Sequence, residues 1–144
     1  MKVYFVSGLA ADRRVFKHII LPVGFETVYL DWITPIKNES LKNYAVRLAE
    51  KIDTSEDFSI VGLSMGGMIA TEISKIYHPV KTILVSSVPS HKHFPARFKI
   101  AYFLKLHKMM PTSILKSASI MKRLFSADDP QDKLILKQVI KDSD

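Results

Sequence analysis

Apolar and polar positions along the first 90 residues fall into two rhythms that take turns. Short β-rich runs at 3–7, 27–30, 58–61 and 80–86 are each closed by Gly, Asp or Pro and read as buried strands. Between the second and third of them, Leu41, Tyr44, Ala45, Leu48, Ala49 and Ile52 recur at three- and four-residue spacing behind Ser40, a residue type suited to cap a helix. A second helical stretch, 65–77, is rich in small and apolar residues and follows the third strand directly. The run from Asp12 to Ile20 is short and mixed, enough for a helical turn or two. The predicted order is therefore β, turn, β, α, β, α, β, the pattern of an α/β fold with a mostly parallel sheet and flanking helices.

After Pro89 the strand rhythm stops. Three helical stretches are expected, at roughly 95–110, 112–125 and 130–141, divided by Pro111 and by the turn at Asp128, Asp129 and Pro130. This divides the chain into a core portion, 1–90, and a helical segment, 91–144. Neither an internal repeat nor a low-complexity tract interrupts it.

Composition changes this picture little. At 144 residues and 47% hydrophobic, the chain is long enough to bury roughly two-thirds of its unfolded surface. It has no cysteine, which excludes disulfides, thiolate metal sites and a cysteine nucleophile. Residues 1–7 are too short an apolar run for a signal-peptide core, and no stretch approaches a membrane span, so a cytoplasmic protein without a stable membrane anchor is expected.

Charge is more informative, because the net +7 is concentrated. Residues 1–90 carry 10 basic and 9 acidic side chains, whereas 91–125 carry 8 basic and none acidic. A basic amphipathic stretch of that kind can lie on an anionic membrane or attract nucleic acid. Its apolar positions, among them Phe98, Tyr102, Leu106, Met110, Ile114 and Phe125, also suit plain packing. No recognised nucleic-acid motif accompanies them, and nucleic acid is not an expected partner.

Chemistry enters at Gly62-Leu63-Ser64-Met65-Gly66-Gly67, a Gly-x-Ser-x-Gly placed where the third strand meets the second helix. Three fixed residues of common type occur by chance in about 5% of chains this long, so the junction matters more than the pattern. A serine nucleophile has to be presented on a sharp turn, and small residues two before and two after it let strand and helix close up. Gly62 and Gly66 meet that need. The helix start adds unpaired N–H groups and a partial positive charge beside any oxyanion, with Met65 N–H as the first donor. A serine here can also do no more than cap the helix.

Two nucleotide-binding alternatives fail on residues. The loop Gly8-Leu9-Ala10-Ala11-Asp12-Arg13 lacks the second and third glycines of a dinucleotide turn, although Asp31 ends the second strand at a suitable distance. No Gly-Lys-Ser or Gly-Lys-Thr follows Gly62, so there is no phosphate-binding P-loop.

The glycine turn after the first strand, taken with Gly-Leu-Ser-Met-Gly-Gly after a later one, resembles the α/β-hydrolase family over about residues 2–90. The resemblance implies a serine hydrolase acting on an ester, thioester or related acyl bond, with Ser64 as nucleophile. It also implies a second oxyanion-hole N–H from Leu9, a helical lid after the fourth strand, a small-molecule acyl substrate, and no metal or organic cofactor. Members usually carry His-Gly where this chain has Ser7-Gly8. The family's triad runs Ser, then Asp or Glu, then His. After Ser64 the chain offers His78, His91, His93 and His107, and before the last of these only one carboxylate, Glu72, within the helix that starts at the serine. His91 and His93 are expected to be solvated loop residues, since no acid precedes them and no third metal ligand is evident. The acid and the histidine are thus expected downstream of the 144 residues, on two further strand-helix units. Without those units the strand around Thr82 to Val85 would be an open sheet edge that invites self-association. A non-catalytic binding domain that keeps the fold is the alternative.

Overall fold

A computed structural model describes residues 1–9, 11–93, 134, 135, 138, 139 and 142. The chain falls into two compact units, Met1–His91 and Lys92–Asp144. In the first, four strands form one all-parallel sheet: β1 (Lys2–Val6), β2 (Glu26–Tyr29), β3 (Phe58–Leu63) and β4 (Lys81–Val85), in the order β2-β1-β3-β4. Helices α1 (Leu41–Ala49) and α2 (Met65–Tyr77) connect β2 to β3 and β3 to β4. The mixed stretch after β1 contains a single 3-10 turn, Arg13–Phe16, capped by the Asp12 carboxylate on Arg14 N–H.

Successive side chains of a strand point to opposite faces, and β1 shows what each face is for. Tyr4 and Val6 join Leu30, Phe58 and Ile60 of the sheet against Tyr44, Ala45 and Leu48 of α1 and Ile69, Ala70 and Ile73 of α2. Val3 and Phe5 join Val61 and Phe16 on the other face. A strand covered on both faces has no polar side to show, which is why residues 3–6 are all apolar and all buried.

The elements end where local chemistry stops them. Ser40 Oγ accepts from Asn43 N–H at 3.1 Å and starts α1. The helix was expected to reach residue 52 but ends at Ala49, because the next three N–H groups bond carbonyls three residues back; Ile52 still packs into the core. Strand β1 was expected through residue 7, yet Ser7 leaves the ladder and turns its hydroxyl onto the Ala11 carbonyl. Strand β4 was expected through residue 86, and there Ser86 turns the chain with φ +46°.

The expected helices at 95–110 and 112–125 lie outside the described residues. So does most of the third, of which Leu134, Ile135, Gln138 and Val139 are helical, as is Asp142 beyond it. No helix among the described residues is long and apolar enough to cross a membrane.

The order of strands locates the place where a site can form. From β1 the chain goes to one side, to β2, with Phe16 of its connection on one face. It then returns past β1 to β3 and β4, with α1 and α2 on the other face. The connections leaving β1 and β3 therefore part to opposite faces. The crevice at the carboxyl ends of those two strands is where open α/β sheets bind ligands. Ser7-Gly8 and Ser64 stand at those two ends.

Candidate functional site

Ser64 links β3 to α2 with φ +52° and ψ −121°. That combination is the first central position of a type II′ turn, normally taken by glycine, and a side chain held there costs on the order of 1–3 kcal/mol. The surroundings impose it. Ser64 N–H donates to Val85 O at 2.9 Å, continuing the β3–β4 ladder by one bond, while Ser64 O accepts from Gly67 N–H at 3.0 Å and from Ser87 Oγ at 2.5 Å. The backbone of the turn is thus tied to the sheet on one side and to the helix and the segment after β4 on the other.

The side chain is exposed and makes no capping bond to the helix. Ser64 therefore does not do what a helix-capping serine does. Across the crevice it faces Gly8: a methyl group added there would lie 3.2 Å from Ser64 Cβ and 3.8 Å from its Oγ.

Two glycines make the approach of strand and helix possible. A Cβ on Gly62 would run into the backbone of Gly66, its carbonyl carbon at 2.6 Å, and into the Gly67 Cα. A Cβ on Gly66 would meet the Val6 and Ser7 carbonyls, and the strand end itself at 2.8 Å. The second contact brings the first turn of α2, with Met65, against the end of β1, with Leu9 three residues beyond it. Leu9 is 67% exposed, and its side chain takes no part in holding the crevice together. Gly67 abuts the Ser87 side chain.

The turn after β1 is held by residues that the sequence did not mark. Buried Ser7 donates from Oγ to Ala11 O at 2.7 Å and accepts from Trp32 Nε1 at 2.9 Å, and Ala11 N–H closes the turn on Gly8 O at 3.2 Å. Trp32 packs on Tyr44 with ring centres 5.6 Å apart. The Tyr44 hydroxyl donates to Ile33 O and accepts from Ile33 N–H, both at 3.0 Å, and burial raises its pKa. Ser87 was missed as well. It lies 23 residues from its partner, and no local pattern could have named it.

Glu72 is engaged by Lys75 at 2.5 Å. His78 ends α2 in the left-handed conformation, about 20 Å along the helix from the serine. His91 and His93 form a 3-10 turn, in which His93 is exposed, and His107 lies outside the described residues. Asp31 is paired with Arg13. Among the described residues, no histidine or carboxylate is hydrogen-bonded to Ser64 Oγ, and no three His, Asp or Glu side chains are placed to hold a metal ion. A recess of about 160 Å³ is lined by Leu41, Lys42, Met68, Glu72, Pro89 and Ser90, without Ser64, Leu9 or Met65.

No protein-family model matches this chain, and neither does any curated protein.

Proposed function

We propose that the chain is the amino-terminal part of a serine hydrolase of the α/β-hydrolase type, with Ser64 as its nucleophile. The observation that carries this is the backbone of Ser64: a non-glycine residue held at φ +52° and ψ −121° between a parallel strand and a helix, its hydroxyl exposed and bonded to nothing in that helix. Strain persists where surrounding structure enforces it, and a turn that only joined two elements would be served better by glycine.

In this mechanism Ser64 Oγ attacks the carbonyl carbon of an ester or thioester while a general base takes the hydroxyl proton. The tetrahedral intermediate puts its charge on the former carbonyl oxygen, which the N–H groups of Leu9 and Met65 hold beside the positive end of α2. Collapse expels the alcohol or thiol, which leaves with the proton from the base. Water then attacks the acyl-enzyme, releases the acid and returns a proton to Ser64. The base is a histidine oriented by a carboxylate, and the α/β-hydrolase resemblance puts both on strands after β4. Residues 91–144, expected from their sequence to be helical, follow β4, the place in the chain where that family inserts a lid.

A second reading is a binding domain that keeps the fold without the reaction. It requires no histidine or carboxylate beside Ser64 Oγ, and among the described residues none is hydrogen-bonded to it. A fluorophosphonate probe separates the two when applied to the protein as its natural host produces it. Labelling that vanishes in Ser64→Ala supports the hydrolase, and absence of labelling supports the binding domain.

A further inference from the structure

We infer that Ser7 is a positioning residue for the oxyanion hole: its hydroxyl, clamped by Trp32, fixes the turn that carries the Leu9 N–H. The inference rests on the hydrolase reading, and it concerns a position where this chain departs from the His-Gly of the family it resembles.

Ser7 Oγ has one proton to donate and lone pairs to accept with. Both capacities are used, and the Ser7 side chain is buried. The proton goes to Ala11 O at 2.7 Å, and a lone pair takes the indole N–H of Trp32 at 2.9 Å. Since Ala11 N–H is bonded to Gly8 O, the two ends of the turn from Gly8 to Ala11 are tied to each other, and the far end is tied again to Ser7. Leu9 sits inside this double closure, with its side chain in solvent. The direction of its N–H is therefore set by the two hydrogen bonds that close the turn and not by packing of its own side chain.

Trp32 carries the restraint away from the crevice. Its ring lies against Tyr44 on α1, and Tyr44 holds both polar groups of Ile33, the residue next to Trp32. Arg47, one turn further along α1, stacks over the Tyr44 ring at 5.8 Å and is bound to Glu39 at 2.7 Å. The turn beside Ser64 is thus anchored to a helix of the core through a continuous set of contacts. A donor held this way is in place before charge develops, which is what makes an oxyanion hole effective.

Removing the Ser7 hydroxyl leaves the indole N–H and the Ala11 carbonyl without partners and frees the turn to move. The loss should appear in the transition state and not in substrate binding, so kcat falls while KM holds. Deleting an oxyanion donor outright costs about 10²–10³ in kcat, and a displaced donor should cost less, roughly tenfold or more.

The experiment compares wild type, Ser7→Ala, Ser7→Thr and Trp32→Phe in the protein as its natural host produces it, with a chromogenic p-nitrophenyl ester. Trp32 is the sole tryptophan of the 144 residues, so its emission in this chain alone reports on the indole bond directly. Expected are a kcat lowered roughly tenfold or more with KM within about twofold in Ser7→Ala and in Trp32→Phe, and recovery in Ser7→Thr, which keeps the hydroxyl. Emission should move to shorter wavelength in Ser7→Ala and return in Ser7→Thr. If emission moves and kcat does not, Ser7 is structural only and the inference is overturned. Should Ser7→Ala fail to fold, Trp32→Phe decides by the same split of kcat and KM. A wild type that neither hydrolyses the ester nor reacts with a fluorophosphonate overturns the hydrolase reading itself, and this role with it.

Discussion

Ser64 is the residue at which stability and proposed function are opposed. Its conformation suits glycine, so Ser64→Gly should stabilise the fold by about 1 kcal/mol or more while removing the nucleophile. Ser64→Ala should remove the nucleophile without that gain, because a Cβ remains. Urea unfolding of both variants measures the difference; equal stability of the two would mean that the turn is not strained. The turn at Ser64 was legible because the requirement is local: two glycines at fixed offsets and a change of rhythm from strand to helix, all within a few residues. The partners that hold it were not. Ser87 and Val85 reach the Ser64 backbone from more than 20 residues away, and Ser7 meets Trp32 across 25. Such pairings follow from strand order, which periodicity does not specify.

At the scale of elements, the sheet is stapled near its amino-terminal ends by a polar cluster that no sequence pattern singles out. Asp53, in the turn between α1 and β3, accepts from Lys2 Nζ at 2.6 Å, from Ser55 Oγ at 2.5 Å and from Ser55 N–H at 3.0 Å, while its own N–H donates to the Tyr4 hydroxyl at 2.9 Å. The bonds from Lys2 and then Ser55 hold its carboxyl well below its ordinary value of 3.8. In the window between the folded and the unfolded pKa the unfolded chain binds the extra proton, so stability rises with pH there. The contribution of Asp53 is complete above pH ~4 and is lost as the pH falls further. Asp53→Asn should therefore unfold at lower urea than wild type at pH 7, with the gap narrowing towards pH 2. A gap that is independent of pH would show that the carboxylate charge does not matter.

The same scale shows which boundaries a pattern can give. Helix α2 spans 65–77 as expected, because the glycines and a change of period mark its start and His78 and Pro79 mark its end. The end of α1 was placed three residues late, since Ile52 continues the apolar spacing although its N–H has already switched to a tighter turn. Burial and helical hydrogen bonding part company at that point, and the sequence displays only the first.

For the whole molecule, the sheet order leaves β4 with β3 as its one strand neighbour among the described residues. Ile83 and Val85 point to the face shared with Val61 and Leu63 and are 47% and 36% exposed, on an edge whose N–H and C=O groups can pair with another strand. The 144-residue chain is accordingly expected to self-associate, and Ile83→Lys to reduce that association. Light scattering after size exclusion is the check: a monodisperse monomer at high concentration would contradict the expectation. That order, and the crevice it creates between β1 and β3, brings Gly8 and Ser64 together from distant parts of the chain, and the proposed activity depends on it.

The proposed activity requires that the crevice present Ser64 as a nucleophile. It is tested most directly by treating the protein as its natural host produces it with a fluorophosphonate, then locating the modified peptide by mass spectrometry. One adduct, formed with loss of fluoride, is expected on Ser64 and is absent from Ser64→Ala. An unmodified Ser64, or an adduct that persists in Ser64→Ala, would contradict it.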